Sequence, residues 1–174
     1  MKEICNKSMS FQECELAILR TAVDKAEENT GKKAANSEEI RKMIIIVENF
    51  LKRKNLVCYG GQSINEILPK QDQFYDKEID IPDYDFFSTN ALSDAKELAE
   101  IYVKEGFIEV EAKSGQHKGT YKVFVNFIGI ADITYIHKDI YNALKREAIK
   151  VAGILYAPPN FLRMSFGRPS LCNK

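Results

Sequence analysis

Two aspartates separated by one residue, in Asp83-Tyr84-Asp85-Phe86, lie downstream of a Gly60-Gly61 pair that closes an apolar run. In an extended segment successive side chains point to opposite faces. Asp83 and Asp85 therefore share a face, with Cβ atoms roughly 7 Å apart, while Tyr84 and Phe86 turn the other way and can anchor the strand in a core. Two carboxylates fixed on one face suit a hard divalent cation, which takes oxygen ligands. A third, Asp132, interrupts the apolar run Ile130-Ala131-Asp132-Ile133. An isolated charge inside a strand is costly, so Asp132 is expected to be paired or to face a cation. Gly60 and Gly61, just ahead of an expected helix, offer backbone N–H groups to phosphate. Metal ligands and a phosphate seat together point to nucleotidyl transfer. Plainer readings stand beside these: Asp83 and Asp85 as solvated acids at a strand end, Gly60-Gly61 as an ordinary turn needing positive φ, Asp132 as a salt-bridged strand residue.

The elements that must hold these side chains follow from periodicity. Phe11, Cys14, Ile18, Ala22 and Ala26 recur at helical spacing, predicting a helix over 11–28 that Gly31 ends. Asn36 with Glu39 resembles a capping box for a second helix over 37–54, with Ile40, Met43, Val47 and Leu51 as its apolar stripe. A strand over 56–59 precedes a short helix over 63–68, stopped by Pro69. A polar connection leads to a strand over 81–88 and a helix over 90–105, which Gly106 terminates. Strands are expected over 107–112, 120–127 and 130–136, with Gly129 marking a turn or bulge, then a final helix over 140–151. Pro158-Pro159 breaks the chain ahead of a tail. Strands that do not alternate strictly with helices favour an α+β fold, a mixed β-sheet with helices packed on one side, preceded by a helical N-terminal segment. The expected organisation is a helical segment over 1–36, a catalytic domain over 37–155, and 156–174 as a tail or the truncated start of a following domain.

At 174 residues, 45% hydrophobic and 29% charged, the chain can bury a sizeable core. Its formal net charge of +0 supplies no global field for nucleic acid. Contacts to phosphate would fall to local cations: Lys113, Lys118, Lys122, Lys145, Arg146, Lys150 and Arg163, each more commonly solvated surface. Tyr121, Phe124 and Phe127 could stack a base, although core packing is the plainer role. Asp72, Asp76, Glu78 and Asp80 read as a solvated acidic loop. Cys5, Cys14, Cys58 and Cys172 form no C-x-x-C pair, and His117 and His137 lie twenty residues apart, which argues against zinc. Reduced thiols in a cytoplasmic compartment are expected, with Cys58 buried. The first residues hold no apolar signal core, and Ile44-Ile45-Ile46-Val47 is too short to span a bilayer.

Gly60-Gly61, Asp83-x-Asp85 and Asp132 on a later strand resemble the DNA polymerase β-type nucleotidyltransferase superfamily. With Tyr59, Asn65, Leu68-Pro69, Phe87-Ser88 and the run Tyr156-Ala157-Pro158-Pro159-Asn160-Phe161-Leu162-Arg163-Met164-Ser165 added, most of 36–165 resembles the poly(A) polymerase catalytic subunits of large cytoplasmic DNA viruses, of poxvirus and giant-virus type. The resemblance implies a nucleotidyltransferase fold. It implies that an RNA 3′-hydroxyl attacks the α-phosphorus of ATP, with Asp83 and Asp85 holding the metal shared with the triphosphate and Asp132 completing a second metal site. It also implies Mg²⁺ or Mn²⁺ as cofactor, Gly60 and Gly61 admitting the β- and γ-phosphates, and Ser63 adding a hydroxyl contact. The implied partners are ATP, an RNA 3′ end and either a second copy or a viral processivity subunit, away from membranes, in a cytoplasmic viral factory or a virion. Gln62 stands between the glycines and the serine that usually follows them directly. Viral poly(A) polymerases continue past Arg163-Met164-Ser165 into further helices. Two alternatives stay open: nucleotidyl transfer to a small-molecule or protein hydroxyl, and an inactive fragment that binds nucleotide or a partner.

Overall fold

The computed structural model describes residues 9–35, 37–75 and 80–166. The chain divides into two compact units, 1–40 with 76–81 and 41–75 with 82–174. In the first, α1 (Phe11–Ala35) starts on a capping box. The Ser10 N–H donates to Glu13 Oε2 at 2.8 Å, and the Glu13 N–H donates back to Ser10 Oγ at 3.3 Å. The helix runs through Gly31 instead of ending there, because one interior glycine costs only about 1 kcal/mol. Asn36, the expected cap of the next helix, lies outside the described residues. Ser37 takes that role, its Oγ accepting from the Ile40 N–H at 3.1 Å at the start of α2 (Glu38–Lys54).

The second unit is built on a seven-stranded mixed sheet: β1 (Val57–Tyr59), β2 (Tyr84–Ser88), β3 (Val110–Ser114), β4 (Thr120–Val125), β5 (Ile128–Tyr135), β6 (Ile149–Val151) and β7 (Ile154–Tyr156), in the order β3-β4-β5-β2-β1-β7-β6. The helices α3 (Gly60–Ile67), α4 (Ala91–Lys104), α5 (Lys138–Glu147) and α6 (Pro159–Phe166) complete it. The α+β class is as expected. Tyr84, Phe86 and Ser88 of β2 face α2 and α4. Tyr84 donates its hydroxyl to Glu48 Oε1 at 2.9 Å, Phe86 lies 6.3 Å from the Phe50 ring, and Ser88 donates its hydroxyl to Asp94. Met43, Val47, Phe50, Leu98, Tyr102, Val123 and Ile133 fill this core. Phe161 of α6 reaches the other face, edge-on to Phe87 at 5.7 Å.

Three local expectations change. The helix over 140–151 ends at Glu147, and residues 149–156 form the β6–β7 hairpin at the sheet edge. The alternating Ile149, Val151 and Ile154 suit a pleated edge, and Ala152-Gly153, with φ of 49° and 89°, makes the two-residue turn. Of the two roles expected of Gly129, turn or bulge, it takes the second: it sits opposite Phe124, where the register shifts, while the β4–β5 turn itself is Asn126-Phe127 (φ 49° and 66°). Phe127 is consequently 85% exposed instead of core. Pro159 begins α6 in the segment read as a tail, at the first helical position, where its missing N–H removes no bond. Cys58 is free and buried, whereas Cys14 is disulfide-bonded, which corrects the expectation of reduced thiols throughout. No described helix is long and apolar enough to cross a membrane.

Candidate active site

The two central parallel strands bring the acids together. In the β2–β5 register Asp85 lies directly beside Asp132. Adjacent strands stand about 4.8 Å apart, so the two carboxylates leave the sheet side by side on the face opposite α2 and α4. Asp83 precedes β2 in its extended lead-in, one residue outside the strand expected to contain it. On the far side of Asp132, β4 places Lys122 in register, and Lys122 Nζ stands 2.5 Å from Asp132 Oδ2. In sequence Lys122 stands with six other cations as solvated surface. Only the pairing of β4 with β5, which no local motif encodes, singles it out.

Burial and mutual repulsion show in the proton affinities of Asp83 and Asp85. Burial first, then the charges of Asp83 and Asp132, push the Asp85 carboxyl up to about 7. Burial and the Asp132 charge push Asp83 up to about 6. Asp83 is the more exposed by surface area, so solvent moderates its desolvation, and the half-buried Asp85 carries the firmer shift. Lys122 works against both shifts. Among the described residues no three acidic, imidazole or thiol groups close round one point as a ready metal cage. The arrangement is one of mutually repelling carboxylates, with Asp132 engaged by Lys122.

Gly60 borders the acids. Its φ of +82° lies in the left-handed region, and a Cβ there would drive into the Asp85 carboxylate. It also opens α3 three residues earlier than expected, and Tyr59, the preceding N-cap residue, supplies no side-chain cap. A Cβ on Gly61 would meet the Tyr75 hydroxyl at 2.8 Å. Asn65 fixes that loop across α3, its Oδ1 accepting from the N–H groups of Phe74 and Tyr75 at 2.8 and 2.9 Å. Ser63 is fully buried and its Oγ has no protein partner. The phosphate contact expected of Ser63 is therefore not open in this arrangement. A hydroxyl chain, unforeseen from sequence, runs along the acidic face: Thr134 Oγ1 bonds Tyr59 Oη at 2.8 Å and Thr120 Oγ1 at 2.9 Å. Burial, and then the three aspartate charges, push the Tyr59 phenol up to about 12, so it stays protonated. Of the other cations named from sequence, Lys113 pairs with Glu111, and Lys145 lies over the Tyr141 ring.

Residues 45–172 match the family model described as "Poly(A) polymerase catalytic subunit". A candidate poly(A) polymerase catalytic subunit of African swine fever virus (strain Badajoz 1971 Vero-adapted) is 33% identical over 132 residues, 76% of this chain and 27% of the viral protein. A similarly named protein of Acanthamoeba polyphaga mimivirus is 31% identical over 133 residues, 75% of this chain and 22% of that protein. The crystal structure of the Megavirus polyadenylate synthase superposes with a TM-score of 0.76 at 29% identity, covering 92% of this chain and 34% of that one. The chain thus spans about a quarter of the length of the curated relatives it matches.

Proposed function

Because the chain belongs to the family of poly(A) polymerase catalytic subunits, we propose that the acidic sheet face is a nucleotidyl-transfer centre adding AMP from ATP to an RNA 3′ end. The observation that carries this reading is the in-register pair Asp85–Asp132 beside a glycine with no room for a Cβ. The donor set fits a hard divalent cation, Mg²⁺ or Mn²⁺: Asp85 and Asp132 stand side by side on adjacent strands, Asp83 lies within electrostatic reach of both, and burial with their mutual repulsion makes Asp83 and Asp85 hold protons unusually well. Asp83, Asp85 and Asp132 would hold it, and there it would neutralise charge developing on the phosphoryl oxygens.

The chain's own residues supply the rest. Gly60 keeps the space before Asp85 clear so that a triphosphate can approach the backbone. Gly60 and Gly61, at the start of α3 with no acid in its first turn, present free N–H groups toward an anion. Asp85 and Asp132, rigidly mounted on adjacent strands, orient the reacting oxygens. The hydroxyl chain Tyr59–Thr134–Thr120 fixes the strands beside them. The working site is the cytoplasm of an infected cell, with a second copy or a processivity subunit as protein partner.

The test is incorporation of α-³²P-labelled ATP into an oligo(A)-bearing RNA by this chain. Label in lengthening RNA that requires Mg²⁺ or Mn²⁺ and disappears in Asp85→Ala supports the proposal. Label on a small-molecule or protein acceptor would move the assignment to another nucleotidyl transfer. ATP binding indifferent both to divalent ions and to Asp85→Ala would overturn the site.

A further inference from the structure

We propose that Lys122 is a positioning residue of this centre: its ammonium group holds the cation's place on Asp132 in the metal-free protein and passes to the nucleotide polyphosphate when a divalent ion takes that carboxylate. The inference rests on the reading of the acidic face as a metal-dependent nucleotide site and adds a residue to it.

The pairing is built into the sheet. Lys122 and Asp132 are direct cross-strand partners, so the contact follows from the β4–β5 register and not from a chance meeting of surface chains. Their side chains are 37% and 19% exposed, leaving the lysine a path outward while the aspartate stays set in the face. Lys122 is, among the described residues, the one cation paired with any of the three acids, and its charge acts on Asp83 and Asp85 as well. One positive charge against three negative ones leaves the face short of cation. An incoming divalent ion answers that deficit better than a single ammonium and competes for the same oxygen.

Lysine also suits the second half of the movement. It carries a compact charge on a flexible four-carbon stem and can swing by several ångströms without disturbing its strand, whereas a guanidinium fork would be tied to the carboxylate by two bonds. The backbone beneath is held independently, since Thr120 on the same strand face bonds Thr134 at 2.9 Å. Once the three carboxylates are engaged by the divalent ion, the phosphate oxygens brought by the nucleotide are the partner left to the released ammonium.

The experiment is calorimetric titration of the 174-residue chain and its Lys122→Met and Lys122→Arg variants, with MnCl₂ alone and with Mg²⁺·ATP, thermal melts confirming the fold. Removing a competing charge is expected to tighten Mn²⁺ binding by roughly 5–10-fold in K122M while weakening Mg²⁺·ATP about tenfold, each tenfold being about 1.4 kcal/mol. K122R, which keeps the charge, is expected to stay near wild type for Mn²⁺ and to recover part of the ATP affinity. A structural role alone would not move the two affinities in opposite directions. Equal Mn²⁺ affinity in wild type and K122M overturns the role of Lys122 and leaves the metal site standing. Absence of Mn²⁺ binding in wild type overturns both. Should K122M not fold, Lys122→Gln gives the same readings.

Discussion

The two faces of β2 each carry a cluster of acids with a lysine, and the clusters are built to opposite ends. On the α4 face Asp94, 5% exposed, is met by Lys54 and by the Ser88 hydroxyl, while Glu97 is met by Lys54 and Arg53. Two acids face two cations, every carboxylate has a partner, and the Lys54 hydrogen bond, reinforced by Arg53, holds the Glu97 carboxyl below its usual range. On the open face three aspartates share Lys122, and burial followed by their mutual repulsion pushes two of them well above the ordinary carboxylate value. A balanced cluster is finished when the chain folds. An unbalanced one stores electrostatic repulsion until something positive arrives, and that imbalance, more than the presence of acids, separates a site from a structural ion network.

Breaking the open cluster has the largest expected effect on activity. Asp85→Asn should lower Mg²⁺-dependent AMP transfer by at least roughly 10³-fold. It should also raise the melting temperature of the metal-free protein at pH 8, because a buried repulsive charge is gone, and that gain should vanish at pH 5. Breaking the closed cluster has the largest effect on stability. Asp94→Ala leaves the buried Ser88 hydroxyl without its acceptor and removes one of the two partners of Lys54, and should cost about 2–3 kcal/mol by denaturant unfolding. Gly60→Ala combines positive-φ strain with the Asp85 clash and should cost about 1–3 kcal/mol, with weaker Mn²⁺ binding by calorimetry. The exposed member of the closed cluster should matter least: Arg53→Ala is expected to change stability by about 0.5 kcal/mol or less.

pH sharpens the contrast. Asp83 and Asp85 keep protons in the folded, metal-free protein up to about 6 and 7, whereas the unfolded chain loses them near an ordinary carboxylate value. Between those values the folded state binds more protons, so stability falls as pH rises. Their contribution is complete below the unfolded value and gone once pH has passed about 7. Glu97, held low, has the reverse sign, its contribution present at neutral pH and lost on acidification. Chemical denaturation from pH 4.5 to 8 should show metal-free stability declining from the acid end and levelling off once pH passes about 7, and millimolar Mg²⁺ should flatten that decline.

Much of the open cluster was legible in sequence because its parts are local. Asp83-Tyr84-Asp85-Phe86 reports its own alternation, and an apolar run broken by Asp132 reports a charge that needs a reason. What could not be read was pairing. Asp132 beside Asp85, and Lys122 beside Asp132, depend on β2 finding β5 across an intervening helix and hairpin, and on one bulge between Val123 and Phe124. The β6–β7 hairpin was hidden because its turn puts Ala152, a non-glycine residue, at positive φ after a strong helix. Ser63 looked like a phosphate ligand from its place after the glycines. Helix α3, starting at Gly60, turns it inward to 0% exposure.

The most direct measurement is a crystal of this chain soaked with Mn²⁺ and a non-hydrolysable ATP analogue, read by anomalous scattering. The expected result is manganese coordinated by carboxylate oxygens of Asp83, Asp85 and Asp132, the triphosphate against Gly60 and Gly61, and Lys122 released from Asp132 toward the phosphates. A manganese peak elsewhere, with all three aspartates uncoordinated and the analogue bound away from the glycines, would contradict it.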